Sequence, residues 1–348
     1  MLNFPLTIVY TSLAENQIRQ YIDAEQARKA WLTAEHRALN YRGSMYWKTV
    51  KGRDYLYREY RTGTAKSMGV RSPDNEKIMV EFKKGKLAAE KSLKQLNVAM
   101  STHTRLNAAL RVGRTPNVVV GLLEEIRKAG LQDHFMVIGT NALYAYETQA
   151  GVRFNGDVTA TTDMDLLWDS RKRVTLITDG DEHFNQYGLI GVLKKFDSSF
   201  ELQAGEEYRA ANSQGYMIDL IKRRPQSLAD DMEHSQLIAN SDDFWAAKIT
   251  NMDWLLSSPK FRQVVVATNG NMAEMVTVDP RAFAFYKVWL SKKEDREPMK
   301  KPRDLAQARV VYKLVQNLLP QLSFDKIHAL PEKMRDESVF AILQRSLE

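Results

Sequence analysis

The segment Thr162-Asp163-Met164-Asp165-Leu166-Leu167-Trp168 constrains this chain more than any other. Its residues suit an extended strand, in which successive side chains alternate between faces. Asp163 and Asp165 therefore share one face, and Met164 and Leu166 point to the other. Along such a strand the two aspartate α carbons stand roughly 6.5–7 Å apart, close enough for both carboxylates to converge on shared divalent cations. Without a cation, neighbouring carboxylates oppose each other's ionisation. An isolated Asp-x-Asp is common at exposed strand ends and turns, so its surroundings decide its meaning.

Two surrounding segments matter. Upstream, Phe135-Met136-Val137-Ile138 reads as a short buried strand that runs into Gly139-Thr140, after which Asn141 to Thr148 reads as a helix. Backbone N–H groups at such a helix start suit triphosphate oxygens. Downstream, Gly215-Tyr216-Met217-Ile218-Asp219-Leu220-Ile221 sets a single acid within an apolar strand. Asp219 there requires a metal or an ion-pair partner, and Lys222 and Arg223 are the nearest cations in sequence.

The order Ile138-Gly139-Thr140, Asp163-Met164-Asp165-Leu166, then Asp219 on a later strand resembles the signature of polymerase-beta superfamily nucleotidyltransferases. Two features depart from it: Thr140 stands where Ser or Gly is usual, and the stretch 141 to 162 is longer than the usual gap, which suggests an inserted loop at Gly151 to Thr161. The resemblance implies an α+β fold with a mixed sheet flanked by helices, and two Mg2+ ions held by Asp163, Asp165 and Asp219. It further implies transfer of a nucleoside monophosphate from a nucleoside triphosphate, with release of pyrophosphate. Phe285 to Leu290 and Lys300 to Ala308 are similar to the helical tails of bacterial stand-alone and abortive-infection or toxin-type members. On that likeness Gly139, Thr140 and Lys287 bind the nucleotide, and the pair Arg303-Asp304 lies nearby. Asp304 also suits a helix N-cap.

The rest of the chain frames this core. Helices are expected over 12 to 41 and about 75 to 110, with a hairpin from Tyr46 to Tyr60 turning at Lys51-Gly52-Arg53. Gly63 to Ser67 contains a fragment of a phosphate loop without its spacing and reads as a turn. Thr115-Pro116 starts a helix whose apolar face is Val119, Leu122, Leu123 and Ile126. Beyond Thr162 to Trp168, a helix near 182 to 195 and strands at Phe200 to Gln203, Tyr208 to Ala211 and Tyr216 to Ile221 are expected. A hairpin at 261 to 278 turns on Asn269-Gly270, before helices from Pro280 and from Asp304 to Leu319. This suggests a helical and hairpin region at 1–114, a catalytic core at 115–225 and a mainly helical region at 226–348.

Composition narrows the function further. The 348 residues include no cysteine, which removes disulfides, thiolate metal sites and cysteine nucleophiles and fits a reducing cytoplasm. The six histidines, His36, His103, His134, His183, His234 and His328, fall at no metal-ligand spacing. Phe4 to Tyr10 is too short, and too poor in preceding cations, for a signal peptide, and no apolar run is long enough to span a membrane. A net charge of +7 favours polyanionic partners. Tyr46, Trp47, Lys48, Lys51, Arg53, Tyr55, Tyr57, Arg58, Tyr60 and Arg61 interleave aromatics with cations, a composition that suits RNA as well as a ribbon packed on a helix. The expected acceptor is a hydroxyl of RNA, such as a transfer RNA end, or of a protein. An antibiotic-type enzyme acting on a small molecule and an inactive binding module are the alternatives.

Overall fold

Lys51 and Gly52 both adopt positive φ, 50° and 74°, and make the two-residue turn that joins strand β2 (Ser44–Val50) to β3 (Arg53–Glu59). The computed structural model describes residues 10–60, 63–171, 182–224, 235–238, 242–324, 330–335 and 337–344. The chain forms two compact units, Asn16–Val112 and the remainder.

In the unit Asn16–Val112, helix α1 (Glu15–Leu39) runs antiparallel to α2 (Pro73–Ala109). Gln20 Nε2 donates to Asn107 Oδ1 at 2.9 Å and Trp31 Nε1 to Asn97 Oδ1 at 2.6 Å, so the pairing runs head to tail. Ser72 caps α2 by accepting from Asn75 N, and Pro73 follows at a position where no amide donor is missed. The expected two-stranded ribbon is a three-stranded sheet, because β4 (Ala65–Val70) pairs with β3. Ala65 to Ser67, read from sequence as a turn, begins that strand. Met45, Leu56 and Met79 form the core between the sheet and α2.

The other unit is built on an eight-stranded mixed sheet. Its order is β12 (Lys260–Val266), β13 (Met272–Val278), β5 (Phe135–Ile138), β7 (Asp163–Trp168), β10 (Met217–Arg223), β9 (Glu206–Ala211) and β8 (Glu201–Gln203). The eighth strand, β11 (Ala247–Ile249), pairs with the second half of β10, beyond the residues that pair with β9. Strands from both sides of residue 225 thus share one sheet, an α+β architecture as expected.

Each face of this sheet is apolar and covered. Phe135, Val137, Met164, Leu166, Ile218 and Leu220 meet Leu122, Ile126, Leu189 and Leu193 of α3 (Asn117–Lys128) and α6 (Glu182–Phe196). Met136, Ile138, Leu167 and Ile221 belong to the opposite core, with Phe283, Val288, Val311 and Val315 of α8 (Pro280–Lys292) and α9 (Lys300–Leu318). Two residues before Leu167 and Ile221, the same sheet face carries Asp165 and Asp219.

Two helices differ from the sequence reading for local reasons. Helix α9 begins at Lys300, so Asp304 lies inside it and is no N-cap; Pro302 falls in the first turn, where its missing N–H breaks no bond. Helix α6 is kinked at Gly188, with φ 65°. The Asp243 carboxylate lies where a Cβ of residue 188 would be, and it accepts from Leu189 N at 3.1 Å and Ile190 N at 3.0 Å. The expected loop at Gly151 to Thr161 is ordered: β6 (Val152–Phe154) pairs with β1 (Tyr10–Ser12), and a short helix α5 (Gly156–Thr159) follows. Apart from Tyr10, the run Phe4 to Tyr10 lies outside the described residues, as do Arg61, His234 and His328.

Candidate active site

The site is made by strand register. Strands β7 and β10 are parallel, with Asp163 opposite Met217 and Asp165 opposite Asp219. Cross-strand partners in a parallel pair project to one side, so all three carboxylates share a face within two adjacent strands. Strand β5 lies antiparallel on the other side of β7 and sets Ile138 opposite Asp165, so its continuation, Gly139, meets the same carboxylate. Gly139 has φ 67°, and a Cβ there would overlap Asp165 Oδ2. Only glycine satisfies both the backbone and the close approach. The turn Gly139–Ala142 then leads into α4 (Leu143–Ala150), which Gly151 ends in the left-handed conformation.

A cavity of about 390 Å³ opens over these residues. Its floor holds Gly139, Thr140, Asp163, Asp165 and Asp219, and its walls include Arg209, Lys287, Arg296, Lys300 and Arg303. Arg209, cross-strand from Asp219, grips it bidentately: Nε to Oδ1 at 2.7 Å and a terminal nitrogen to Oδ2 at 2.8 Å. Neither Lys222 nor Arg223 is the observed partner in this fork. Asp163 accepts from the Thr161 hydroxyl, while its carbonyl accepts from Asn141 Nδ2 at 2.6 Å. Residues 141 and 161 thus orient the first acid from either end of the long intervening stretch.

Helices α8 and α9 and the segment between them supply the rest of the cationic wall. Lys287 is buried and donates to Asp304 Oδ1 at 2.7 Å; Arg296 Nε donates to Asp304 Oδ2 at 2.8 Å. Lys287 therefore lines the cavity as expected, but its ammonium rests on Asp304. Thr140 Oγ1 accepts from Gln307 Nε2 at 3.1 Å and from an Arg303 nitrogen at 3.3 Å, which fixes the turn to α9. Arg303 Nε and Gln307 Oε1 are buried polar atoms without a hydrogen-bond partner among the described residues. A second, more apolar cavity of about 270 Å³ adjoins the first through Gly139, Asp165, Lys287 and Arg296; Met252, Leu255, Phe283 and Tyr286 line it.

Charge crowding marks Asp165. Burial, then the charges of Asp163 and Asp219, push its carboxyl up to about 7, against the pull of Lys287 and Arg296. Burial also lowers Lys287, with Asp304 opposing. A carboxylate cluster in this state is relieved by an added cation, and its all-oxygen donors suit magnesium better than a softer metal. The cage is not preassembled, however: no group of three His, Asp or Glu among the described residues stands ready to ligate an ion, and Asp219 is engaged by Arg209.

A family model described as nucleotidyltransferase matches residues 117–330, more than half of the chain. The chain belongs to this nucleotidyltransferase family. No curated protein and no solved structure matches it. Membership implies a nucleoside triphosphate substrate, and the matched span of this nucleotidyltransferase contains the whole cavity lining. No described helix is long and apolar enough to cross a membrane.

Sequence reasoning assembled Gly139, Thr140, Asp163, Asp165, Asp219 and Lys287, and all six line the nucleotidyltransferase cavity. It passed over Arg209, Arg296 and Gln307. No local signal marked Arg209, which strand pairing alone brings to Asp219; Gln307 was findable from its spacing, one helical turn after Arg303.

Proposed function

We propose that this nucleotidyltransferase is a magnesium-dependent enzyme of the polymerase-beta type, transferring a nucleoside monophosphate to a hydroxyl of RNA or of a protein. The observation that carries this reading is the in-register pairing of Asp165 with Asp219 beside the Gly139 turn, with Asp163 two residues away on the same face. Asp163 and Asp165 would hold magnesium, and Asp219 would complete the set on release from Arg209. Bound magnesium would supply charge neutralisation at the phosphates and a lowered pKa for the attacking hydroxyl.

The chain's own residues divide the remaining work. The backbone after Gly139 and the Arg303 guanidinium receive phosphate oxygens, and Lys287 with Arg296 offsets the growing negative charge. The apolar cavity at Met252, Phe283 and Tyr286 suits the nucleobase, which leaves the α-phosphate over the aspartates. The acceptor oxygen attacks the α-phosphorus and forms the new ester bond. The bond from that phosphorus to the oxygen bridging to the β-phosphate breaks, and pyrophosphate departs. The acceptor's proton passes to a carboxylate facing it, Asp219 in this reading. Cations along the wall suit a phosphate-rich acceptor better than a cationic antibiotic.

The Arg209–Asp219 fork favours a second reading, in which the pair is permanent and the domain binds nucleotide without turnover. Pyrophosphate release separates the two. The active enzyme releases pyrophosphate from at least one triphosphate in magnesium, and Asp163→Ala or Asp165→Ala abolishes it. A binding module takes up triphosphate and releases none with any acceptor.

A further inference from the structure

We propose that the outward face of the three-stranded sheet in the unit Asn16–Val112, carried by Tyr46, Tyr55 and Tyr57, binds a single-stranded nucleic acid. Strand alternation sorts the aromatic residues of this sheet. Met45 and Leu56 are in the core with Met79 of α2, and Trp47 packs there with Phe82. Arg58 also faces inward, 4.3 Å from the Phe82 ring and donating to the carbonyls of Asn40 and Arg42, so it supports the fold and meets no phosphate. Tyr46, Tyr55 and Tyr57 alternate with these residues and take the other face.

That face has the form of a stacking platform. The rings of Tyr46 and Tyr57 lie cross-strand, 6.1 Å apart and 14° from parallel. Lys48 Nζ sits 5.6 Å from the Tyr57 ring, and Tyr55 is opposite Lys48. Lys48, Lys51 and Arg53 are exposed at the β2–β3 end. The three rings are half-buried, and aromatic rings on a sheet face accept unstacked bases irrespective of sequence while adjacent cations follow the phosphates.

Charge distribution selects the partner. Residues 16–112 hold 20 Lys and Arg against 9 Asp and Glu, a net of +11, whereas the other 251 residues hold 30 against 34, a net of −4. The whole positive excess of the protein thus belongs to this unit, which also lies outside the span matched by the nucleotidyltransferase family. A polyanion with planar groups satisfies both the rings and the cations. Binding here does not require nucleotidyl transfer; that the bound strand is the acceptor rests on the function proposed above.

The test is fluorescence anisotropy of the full-length protein with labelled 12-nucleotide RNA and DNA oligomers, in chelator and without triphosphate, over a salt series. The triple substitution Tyr46→Thr, Tyr55→Thr and Tyr57→Thr keeps β propensity and is expected to weaken binding by about tenfold or more. The corresponding three Tyr→Phe changes keep the rings and should retain binding, with unchanged thermal melting as the check on folding. The wild type should lose affinity steeply with salt. Equal binding by the Thr and Phe variants, binding of heparin as tight as that of either oligomer, or no oligomer binding near physiological salt would each overturn the proposal. RNA bound in preference to DNA would identify the 2′-hydroxyl as part of recognition; equal binding would assign it to bases and phosphates alone.

Discussion

Arg209 holds both carboxylate oxygens of Asp219, at 2.7 and 2.8 Å, across the β9–β10 strand pair. Asp219 is at the same time the neighbour of Asp165 across β10 and β7. One carboxylate thus stands between a guanidinium and an acidic pair, and any metal that recruits Asp219 competes with Arg209.

Removing that competitor gives the first prediction. Arg209→Ala leaves Asp219 without its ion-pair partner beside Asp165, and the loss of a partly exposed charged pair costs about 1–3 kcal/mol in chelator. Magnesium should recover much of it. Thermal melting with and without magnesium is expected to show a larger magnesium-induced rise in Tm for Arg209→Ala than for wild type. Equal rises would mean that Asp219 does not ligate.

Thr140 gives the second. Its hydroxyl accepts from both Gln307 and Arg303, so Thr140→Val leaves each of those nitrogens with only its backbone acceptor, the carbonyls of Val158 and Ala160, and one N–H unpaired beside the turn. Thr140→Ser keeps the acceptor. Thr140→Val should raise KM for triphosphate about tenfold, whereas Thr140→Ser stays within about threefold of wild type, as steady-state pyrophosphate release would show.

These outcomes bear on what the sequence could reveal. Asp163, Asp165 and Asp219 were legible because strand alternation and one acid in an apolar strand are local signals. Gly139 was legible because a glycine between a strand and a helix marks a turn. Arg209 and Arg296 were not, since strand register joins Arg209 to Asp219 and the path of the segment between α8 and α9 brings Arg296 onto Asp304. Of the two readings of Asp304, the helix cap fails because the helix starts earlier, at Lys300, with Pro302 in its first turn. The stretch 151 to 161 looked like a loop because β6 is ordered through β1, a partner distant in sequence. Likewise, β4 carries Gly69 and few strong strand formers, and it is a strand by virtue of pairing with β3.

The third prediction concerns buried Lys287 and Asp304 with half-buried Arg296. Asp304→Ala strips two cations of their shared counterion and should destabilise the protein by about 3 kcal/mol. Lys287→Met removes one cation and leaves the Arg296–Asp304 pair, so it should melt closer to wild type while raising KM for triphosphate. Chemical denaturation of both variants, beside kinetics of the second, checks this.

A fourth prediction is independent of catalysis. Asp243 caps the half of α6 that follows Gly188, and Asp243→Ala should cost about 1–2 kcal/mol. Burial raises its carboxyl above the usual aspartate value, with the backbone donors of Ile190, Phe244 and Leu189 opposing. The folded state therefore holds this proton more tightly than the unfolded chain. The stability linked to that proton is complete below the ordinary value of 3.8 and is lost as pH rises through the raised one. Unfolding free energies measured across the acidic range should show a decline from Asp243 that Asp243→Asn removes.

Nucleotidyl transfer by the Asp163, Asp165 and Asp219 cluster can be followed with α-labelled triphosphates. Each is incubated in turn with the protein, magnesium, and bulk RNA or cell lysate, beside Asp163→Ala and Asp165→Ala. Label is expected to enter RNA or a protein band with the intact aspartates alone, and to be lost in chelator. Triphosphate binding without label transfer from any of the four nucleotides, in a correctly folded protein with both acceptor classes present, would contradict that expectation.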